Sequence, residues 1–317
     1  MTASLDLSHW PALVLTAGLA TRLQPLSHVR AKAALPVAGQ ALVIRILRSL
    51  RAAGITRVVL NLHHHPHTIT REVGDGSDLD LSVRYSWETE VLGSAGGPAR
   101  ALPLLEADRF LIVNGDTLAD VDLAALAAQH VDTNALVTMA VVNADPRYNA
   151  LLADDSGIVS GFKRNTLGTP GIAGTLGTHH FIGVQAANAS AFAGVSPDSR
   201  SETVHGIYPD LVAQRPGSVR VMRTAAEFFD IGTPRDYLTT ALALAAREGR
   251  PLDRGHDSQV APDASLTDTI LWDNVTVGAG ASLVRCIAAD GVTVPAGAHH
   301  VECSLVMRDN NLIATPF

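Results

Sequence analysis

The sequence is poor in cysteine and has no long apolar run. Its 317 residues include two cysteines, Cys286 and Cys303, too few for a disulfide scaffold and not spaced as metal ligands. No apolar stretch approaches the roughly 20 residues that a membrane-spanning helix needs, so we expect no membrane partner. Residues 1–9 contain no lysine or arginine ahead of the first apolar run, so we expect no secretory signal and a cytoplasmic location.

Basic charge is also scarce. The chain has 24 Lys and Arg residues against 31 Asp and Glu residues, for a net charge of -7. Because nucleic-acid-binding surfaces are usually basic, this balance disfavours a nucleic-acid partner. Two common nucleotide motifs are missing as well. No Gly-Lys-Ser/Thr closes a Walker loop, and the segment at Gly18 lacks the further glycines of a dinucleotide fingerprint.

What the sequence does contain is a short apolar strand followed by a loop of small residues. Residues 12–17 lie between a proline and a glycine, as expected for a central strand of a covered parallel sheet. Small residues such as Gly18 and Ala20 let backbone N–H groups approach an anionic ligand. Arg22 and Lys32 supply the countercharge that a polyphosphate needs.

The pattern Leu-x-Ala-Gly-x-x-Thr-Arg-Leu-x-Pro-Leu, followed by a lysine, resembles the signature of the sugar-1-phosphate nucleotidyltransferases. Two departures stand out. Ala20 replaces the usual glycine, which is tolerable if φ is negative there, and Ala31 and Ala33 replace the prolines beside Lys32. The resemblance implies that Arg22 and Lys32 are catalytic. It also implies that the nucleotide is bound by Leu15, Ala17, Gly18, Leu19, Ala20, Thr21 and Arg22.

A carboxylate follows the apolar strand predicted at residues 110–113. Asn114 and Asp116 therefore lie at the carboxyl end of a strand, where open α/β sheets bind ligands. A carboxylate at that edge can hold Mg²⁺ against phosphate oxygens. Resemblance to the family implies that Asp116 is a catalytic metal ligand and that Asn114 contributes to nucleotide binding.

A second carboxylate, Asp230, precedes a predicted helix. Thr233 suits the N-cap, Pro234 the first helical position and Asp236 a capping box, which explains that part of the segment structurally. Asp230 stands before the turn and matches the aspartate of the family's Asp-x-Gly-Thr-Pro motif. The resemblance implies that Asp230 is catalytic, joins Asp116 in binding the metal and contacts the sugar phosphate.

Three further segments resemble substrate-binding parts of the family. Gly93 and Ser94 match a Leu-Gly-Thr-Ala-Gly segment that meets the base and ribose, although Ser94 can equally cap a helix. Asn149 stands where the family has the glycine of Tyr-Gly, and asparagine tolerates positive φ. Lys163 falls where the family has Glu-Lys-Pro. Sugar-phosphate binding by Asn149 and Lys163 is implied, with a solvated turn as the alternative for Lys163.

A run of histidines at residues 63–67 suggests a metal site by composition alone. Neighbouring residues of a strand point to opposite faces, so His63, His64 and His65 cannot readily converge on one ion. We expect these histidines to form a loop, with Pro66 starting the next helix.

Strand and helix patterns alternate through the first 250 residues, and the 47% apolar content is enough for a substantial core. The pattern predicts an α/β fold with a Rossmann-like, mostly parallel sheet and a catalytic domain over residues 1–250. Helices are expected at residues 43–53, 94–102, 122–130, 203–214 and 233–247. The strands expected between them include residues 57–62, 81–85, 135–142, 178–184 and 219–223.

Residues 256–312 have a different character. Similar heptads begin at Val260, Val277 and Val294, 17 residues apart, and the apolar residue of each is followed by small ones. This period resembles the left-handed parallel β-helix, here three coils of 17 residues. Cys286 and Cys303 would stack on neighbouring coils as free buried thiols. Such a tail suits assembly into a homo-oligomer.

Together these features predict an enzyme that condenses a nucleoside triphosphate with a sugar 1-phosphate, giving a nucleotide sugar and pyrophosphate, with Mg²⁺ as cofactor. The architecture is similar to that of mannose-1-phosphate guanylyltransferases, so GTP and mannose 1-phosphate are the favoured substrates. One alternative is a uridylyl or other transferase acting on N-acetylmuramate, heptose or glucose 1-phosphate. Others are a non-catalytic subunit that senses nucleotide sugars and an acyltransferase that uses the β-helix with His299 or His300.

Overall fold

The structure, a computed structural model, describes residues 5–145, 148–163, 177–252 and 254–317. Within these ranges the α-helices are α1 (Leu42–Ala52), α2 (Pro66–Val73), α3 (Gly93–Leu105), α4 (Leu123–Asp132), α5 (Tyr208–Gln214) and α6 (Pro234–Glu248). The first thirteen strands are β1 (Ala12–Leu15), β2 (Pro36–Val37), β3 (Gln40–Ala41), β4 (Arg57–Leu62), β5 (Ser82–Trp87), β6 (Arg109–Asn114), β7 (Thr117–Ala119), β8 (Val137–Asn143), β9 (Ala150–Ala153), β10 (Val159–Lys163), β11 (Gly177–Asn188), β12 (Val219–Arg223) and β13 (Phe228–Asp230).

Ten short strands follow towards the C-terminus: β14 (Gln259–Val260), β15 (Ser265–Thr267), β16 (Ile270–Leu271), β17 (Thr276–Val277), β18 (Ser282–Val284), β19 (Ile287–Ala288), β20 (Thr293–Val294), β21 (His299–Val301), β22 (Cys303–Arg308) and β23 (Asn311–Pro316). The chain forms two compact units. The first contains Met1–Gly18, Ile46–His63 and Val73–Phe228, and the second contains Leu19–Arg45, His64–Glu72 and Phe229–Phe317. None of the described helices combines the length and the apolar character needed to span a membrane.

The first unit is built on a nine-stranded sheet with the order β10-β9-β11-β6-β1-β4-β5, to which β8 and β12 add beside β11. Strands β5, β4, β1 and β6 pair in parallel, as do β8 and β12. Strand β11 is antiparallel to β6, β8 and β9, and β10 is antiparallel to β9. Of the nine described strands, β10 and β11 therefore run against the other seven. The predicted α/β fold with a mostly parallel sheet is confirmed.

The central strands are apolar because both faces of the sheet are covered. Phe110, Leu111 and Ile112 of β6 and Leu13 of β1 have no exposed surface. These four side chains account for the continuous apolar runs in the sequence, which lack the alternation of a half-exposed sheet. The same covering leaves the carboxyl ends of β1 and β6 as the place where polar residues begin.

One predicted helix is divided in the structure. Residues 203–214 form a single π-helical turn, Thr203–Ile207, followed by α5. His205 has φ of -111° and ψ of 21°, outside the helical region, so the kink lies inside the π-helical turn. Pro209 sits in the first turn of α5, where its missing N–H costs no hydrogen bond, and it favours a helix start there. The predicted bounds of 203–214 are confirmed, and the π-helical turn with its kink at His205 is the part that was not predicted.

The C-terminal strands of the second unit stack in parallel with a constant offset of 17 residues. Gln259 pairs with Thr276 and Thr276 with Thr293, and the other two faces repeat the same offset. These ladders form a parallel β-helix, closed by the antiparallel hairpin of β22 and β23. The Sγ atoms of Cys286 and Cys303 lie 3.7 Å apart on neighbouring coils, and both side chains are buried. The handedness and the division at residues 250–256 stay predictions.

The start of α6 follows the sequence signals closely. The Thr233 backbone N–H and hydroxyl donate to Asp236 Oδ2, each at 2.8 Å, and the Asp236 N–H donates to Thr233 Oγ1 at 3.2 Å. Pro234 is the first helical residue, and Gly249 ends the helix with φ of 62°. The predicted capping box is confirmed.

Candidate functional site

In the first unit, the glycine loop leaves the sheet at the end of β1. Leu15, the last residue of β1, is half-buried, and Ala17 is buried beneath the exposed Gly18. A Cβ built on Gly18 would meet no atom within 4 Å, so neither packing nor positive φ demands glycine there. Open space above the backbone is what the close approach of a ligand requires.

A buried polar network fixes the start of this loop. The Thr16 N–H donates to Asn61 Oδ1 at 2.6 Å, and the Thr16 hydroxyl donates to the Asn61 carbonyl. Asn61 Nδ2 then donates to Glu88 Oε1 at 2.7 Å, and the Leu92 N–H donates to Glu88 Oε2 at 2.9 Å. Thr16, Asn61 and Glu88 are each at least 94% buried. The network joins the glycine loop to the residue before Gly93, and sequence reasoning missed it.

Gly97 makes room for that network. A Cβ at position 97 would lie 2.9 Å from Asn61 Nδ2 and 3.0 Å from Glu88 Oε1. The only sequence signal for the network was the run of glycines that includes Gly97, because a single Asn or Glu in a strand pattern carries no sign of burial.

Ser94 lies in the first turn of α3, and the segment before α5 covers it. Ser94 N–H and hydroxyl donate to Glu202 Oε2 at 3.1 and 2.8 Å, and the Thr203 N–H donates to Ser94 Oγ at 2.9 Å. The N-cap residue of α3 is Leu92, without a side-chain cap bond, so the interpretation of Ser94 as the cap was wrong. Gly93 adopts φ of 77°, which favours glycine.

Glu202 was not predicted from the sequence. Although burial alone would raise the pKa of Glu202, hydrogen bonds from Ser94 and the nearby Arg200 guanidinium hold this pKa below its ordinary value. An ionised carboxylate therefore faces the first turn of α3 at neutral pH.

Asp116 follows β6 by two residues, at the carboxyl end of the strand, as predicted. Asn114 is in register with Leu15, so the residues that follow β1 and β6 emerge side by side. The Gly115 N–H donates to the Leu15 carbonyl at 2.9 Å, and a Cβ on Gly115 would lie 2.6 Å from that oxygen. The close approach of these two backbone segments thus requires glycine at position 115. It holds the half-buried Asp116 beside the end of β1.

A cavity of about 600 Å³ opens at this edge of the sheet, entirely within the first unit. It brings together four of the predicted residues, together with Glu202 and aromatic side chains. The predicted residues that line it are Leu15, Ser94, Asn114 and Asn149.

One wall of the cavity is aromatic. The His180 ring stacks on Tyr148 with centroids 4.2 Å apart, and Phe228 lies 5.3 Å from His180. His180 Nδ1 lies 3.3 Å from the Asn149 carbonyl. Asn149 does not adopt the positive φ that its resemblance to a glycine position allowed. Flat rings at this wall offer apolar faces to a bound base or sugar.

Lys163 is the last residue of β10 and pairs in register with Ala150, next to Asn149. Its neighbour Phe162 lines the cavity. Arg164 and Arg147, which belong to the same resembling segments, lie outside the described residues. The role of Lys163 stays a prediction.

In the second unit, Arg22 follows a strained residue. Ala20 has φ of 49° and ψ of 44°, so the condition of a negative φ, under which alanine would be tolerable at this position, is not met. The left-handed conformation starts the single 3-10 turn Thr21–Leu23, in which Thr21 and Arg22 are exposed, as is Leu19 before it. Ala20 therefore adopts a left-handed backbone conformation that glycine adopts more readily.

Arg22 lies against the segment that carries Asp230. A Cβ on Gly232 would be 3.2 Å from Arg22 Nη1 and 3.2 Å from Asp236 Oδ2. A side chain at position 232 would therefore crowd the Arg22 guanidinium, which would have to shift slightly. Asp230 ends β13 two residues earlier and is half-buried. The structure thus places a predicted cation and a predicted carboxylate on adjoining segments of one unit.

Lys32 begins a second single 3-10 turn, Lys32–Ala34, and is half-buried. The preceding Ala31 has φ of -58° and ψ of 144°, values that a proline would also adopt. Its N–H donates to Thr68 Oγ1 on α2 at 3.1 Å, a bond that proline could not make.

The histidine run forms the connection between β4 and α2, and α2 begins at Pro66, as predicted. His65 has φ of 43°, and His64 Nε2 lies 2.7 Å from the Ser27 carbonyl. Among the described residues no group of three or more His, Cys, Asp or Glu side chains is arranged to hold a metal ion.

Comparison with known proteins shows which proteins this chain is similar to. The family model for nucleotidyl transferases matches residues 11–247. The chain is 30% identical over 298 residues to the mannose-1-phosphate guanylyltransferase of Mycobacterium tuberculosis, which covers 85% of this chain and 81% of that protein. It is 42% identical over 115 residues to the N-acetylmuramate alpha-1-phosphate uridylyltransferase of Neisseria meningitidis, which covers 36% of this chain and 50% of that protein.

Among solved structures, the chain is similar to HddC from Yersinia pseudotuberculosis in complex with GMP-PN. The TM-score is 0.61 at 24% identity, over 74% of this chain and 99% of that one. At this identity the likeness concerns the fold.

Proposed function

Because this chain belongs to the sugar-1-phosphate nucleotidyltransferase family, we propose that it catalyses the reaction of GTP with mannose 1-phosphate to give GDP-mannose and pyrophosphate. The observation that carries the proposal is the cavity of about 600 Å³ at the carboxyl ends of β1 and β6. Leu15, which precedes the glycine loop, and Asn114, two residues before Asp116, both line this cavity, at the edge where open α/β sheets bind ligands. We expect the reaction to take place in the cytoplasm.

The reaction joins two anions, so position and positive charge are its main requirements. An oxygen of the sugar phosphate attacks the α-phosphorus of the triphosphate. A new P–O bond forms while the bond to the pyrophosphate oxygen breaks. The attacking phosphate is already ionised at neutral pH, so the proposed mechanism needs no general base.

The roles proposed for Arg22 and Lys32 follow from charge, and those of Gly93, Ser94, Asn149 and Lys163 from resemblance to the family. Arg22 and the N–H groups around Gly18 stabilise the departing pyrophosphate, because its negative charge grows as the bond breaks. Lys32 contacts the phosphoryl group under attack. Gly93 and Ser94 lie on the base and ribose side, and Asn149 and Lys163 lie on the sugar-phosphate side.

Asp116 and Asp230 are the residues that would hold Mg²⁺. Nucleotidyltransferases of this family commonly use a divalent metal. Mg²⁺ takes oxygen ligands, typically one or two carboxylates beside water and substrate phosphates, and each of these aspartates is half-buried and supplies a ligand of that kind. When bound, the ion would neutralise charge on the α-phosphate.

Mannose 1-phosphate and GTP are proposed because the mannose-1-phosphate guanylyltransferase similarity extends over 85% of the chain. A second candidate is uridylyl transfer to N-acetylmuramate 1-phosphate. It is favoured by the higher identity, 42%, over the 115 residues shared with the uridylyltransferase. The aromatic wall at Tyr148 and His180 suits either sugar, since it offers flat apolar faces to the C–H side of a ring.

The experiment is a substrate panel. Pyrophosphate release is measured with each of GTP, UTP, dTTP and ATP against mannose, glucose, heptose and N-acetylmuramate 1-phosphates, with Mg²⁺ present. We expect the highest kcat/KM for GTP with mannose 1-phosphate. A higher value for UTP with N-acetylmuramate 1-phosphate would replace this assignment with the second candidate. Binding of nucleotides without pyrophosphate release from any pair would instead indicate a sensing subunit.

A further inference from the structure

A buried arginine ties the segment that carries Lys32 to the β-helix. Arg30 is 4% exposed, and its Nε donates to Asp290 Oδ2 at 2.7 Å. Its Nη2 donates to Asp290 Oδ1 and to Asp273 Oδ2, each at 2.6 Å. The guanidinium carbon also lies 5.3 Å from the centre of the Trp272 ring. The planar fork of arginine suits this two-carboxylate arrangement, and lysine could not reproduce it.

The two aspartates occupy equivalent positions on consecutive coils. The Asp273 N–H donates to Asp290 Oδ1 at 3.1 Å, and the His256 N–H donates to Asp273 Oδ1 at 2.9 Å, each across 17 residues. The stacking of the coils therefore sets the spacing of the carboxylates. The single Arg30 guanidinium spans this spacing, because it contacts both carboxylates.

Trp272 reaches the other side of Lys32 as well. This side chain has no exposed surface, and its Nε1 donates to Tyr237 Oη on α6 at 3.1 Å. Tyr237 Oη in turn donates to the Pro36 carbonyl at 2.5 Å. In the sequence, Lys32 lies between Arg30 and Pro36. Trp272 contacts Arg30 directly and is linked to Pro36 through Tyr237.

A buried ion pair is weak evidence of stabilisation, because desolvation offsets much of its Coulomb energy. The arrangement needs another explanation, and its position supplies one. The anchored stretch is seven residues long, from 30 to 36, and contains a single 3-10 turn that begins at Lys32. So short a turn has little order of its own and takes its geometry from its anchors.

We propose that Arg30, with Trp272, Asp273, Asp290 and Tyr237, forms a positioning clamp through which the β-helix fixes Lys32 for catalysis. This inference rests on the proposed function, in which Lys32 contacts the reacting phosphoryl group. The β-helix then contributes to catalysis by holding Lys32 in position. Arg30 is a positioning residue and touches no substrate.

The first test is Arg30→Lys, which keeps the charge and removes the two-carboxylate fork. We expect kcat to fall roughly tenfold with KM for the triphosphate changed by less than about twofold, because small displacements of a catalytic group act on the transition state. Arg285→Lys is the matched control. Arg285 also bridges coils 17 residues apart, with Nε donating to Glu302 Oε1 at 3.0 Å, and it should keep the original kcat.

A second variant guards against simple unfolding. Trp272→Phe keeps a buried ring but loses the donor to Tyr237, so kcat should fall in the same way while a cooperative thermal transition remains. If Arg30→Lys does not fold, kcat of the Trp272→Phe variant tests the clamp instead. The clamp is disproved if the folded variant keeps the original kcat, or if Arg285→Lys loses as much.

Coupling to Lys32 separates positioning from general damage. In a Lys32→Ala background, Arg30→Lys should lower kcat no further, since the residue being positioned is gone. A second, multiplicative loss would overturn the clamp. If Lys32→Ala alone keeps full turnover, the role assigned to Lys32 fails instead. If Lys32→Ala is inactive and Arg30→Lys is normal, the proposed function stands and the clamp falls.

Discussion

The space beside three glycines of the candidate site differs from one glycine to the next. Gly115 and Gly232 each leave a space that a Cβ would fill, against Leu15 and Arg22 respectively. Gly18 differs, because nothing of the protein occupies the space beside it. Gly115 and Gly232 thus lie against other parts of the protein, and Gly18 faces open space.

Charge removal at Asp116 tests the proposed chemistry. Asp116→Asn keeps the shape of the side chain and removes its charge, so turnover should fall by roughly 10²–10³-fold through lost transition-state stabilisation. The measurement is kcat for pyrophosphate release. Asp120→Asn is the matched control, since Asp120 is exposed and four residues away. Equal turnover in the Asp116 and Asp120 variants would remove Asp116 from the proposed mechanism.

Backbone strain at Ala20 gives a second prediction. A left-handed residue costs about 1–2 kcal/mol for non-glycine side chains, most for β-branched ones. Ala20→Gly should therefore keep turnover and thermal stability, whereas Ala20→Val should lower both. Thermal denaturation and kcat of the two variants check this. A valine variant as stable as the original chain would show that φ at position 20 is not held at its positive value.

Among helices and strands, agreement with the sequence pattern follows the strength of local signals. Strands β4 and β12 begin and end where apolar β-branched runs predict, and α6 follows its capping box. The kink at His205, inside the helical turn that precedes α5, was not predicted, because the apolar periodicity continues through this residue. Capping residues therefore predict where a helix begins better than apolar periodicity predicts that a helix continues without a kink.

The bond between α2 and the segment before Lys32 can be tested. Thr68→Val removes the acceptor for the Ala31 N–H in a buried place, so the free energy of unfolding should fall by about 1–3 kcal/mol. Chemical denaturation followed by circular dichroism measures it. Thr70→Val, on the same helix and half-buried, is the control and should cost less. If both variants lost the same free energy of unfolding, the effect would come from valine in α2 and not from the bond to Ala31.

Across the entire chain, stability should depend on pH through buried histidine. His130 is 1% exposed between Thr138 and Asn188, and burial lowers its pKa below the ordinary value of 6.5. The unfolded chain then binds a proton more readily than the folded one, so this contribution is present above pH 6.5 and is lost as the pH falls through that value.

The corresponding measurement is the free energy of unfolding at several pH values between about 7.5 and 5.5, a window that brackets the ordinary histidine pKa. The original chain should lose stability towards the acid end, and His130→Asn should show a smaller pH slope. Because His65 and His179 also have pKa values lowered by burial, some slope should remain. An unchanged slope in His130→Asn would show that this histidine does not titrate on unfolding.

The fold class and the β-helix were predictable because both rest on repeated patterns, the alternation of strands with helices and the 17-residue period. Contacts between distant residues were not. Nothing in the sequence pairs Asn61 with Glu88, and buried charge leaves no periodic signal. Arg30 could not be matched with Asp273 and Asp290 in advance, because the coils alone decide that both carboxylates meet at one guanidinium.

The length of chain between Arg30 and its partners affects how the protein matures. Asp273 and Asp290 follow it by 243 and 260 residues, so the ribosome makes the arginine long before either carboxylate exists. A growing or prematurely terminated polypeptide would contain Lys32 without the two carboxylates of the clamp proposed to position it. Activity should therefore arise only near the end of synthesis, and fragments released early should be inert.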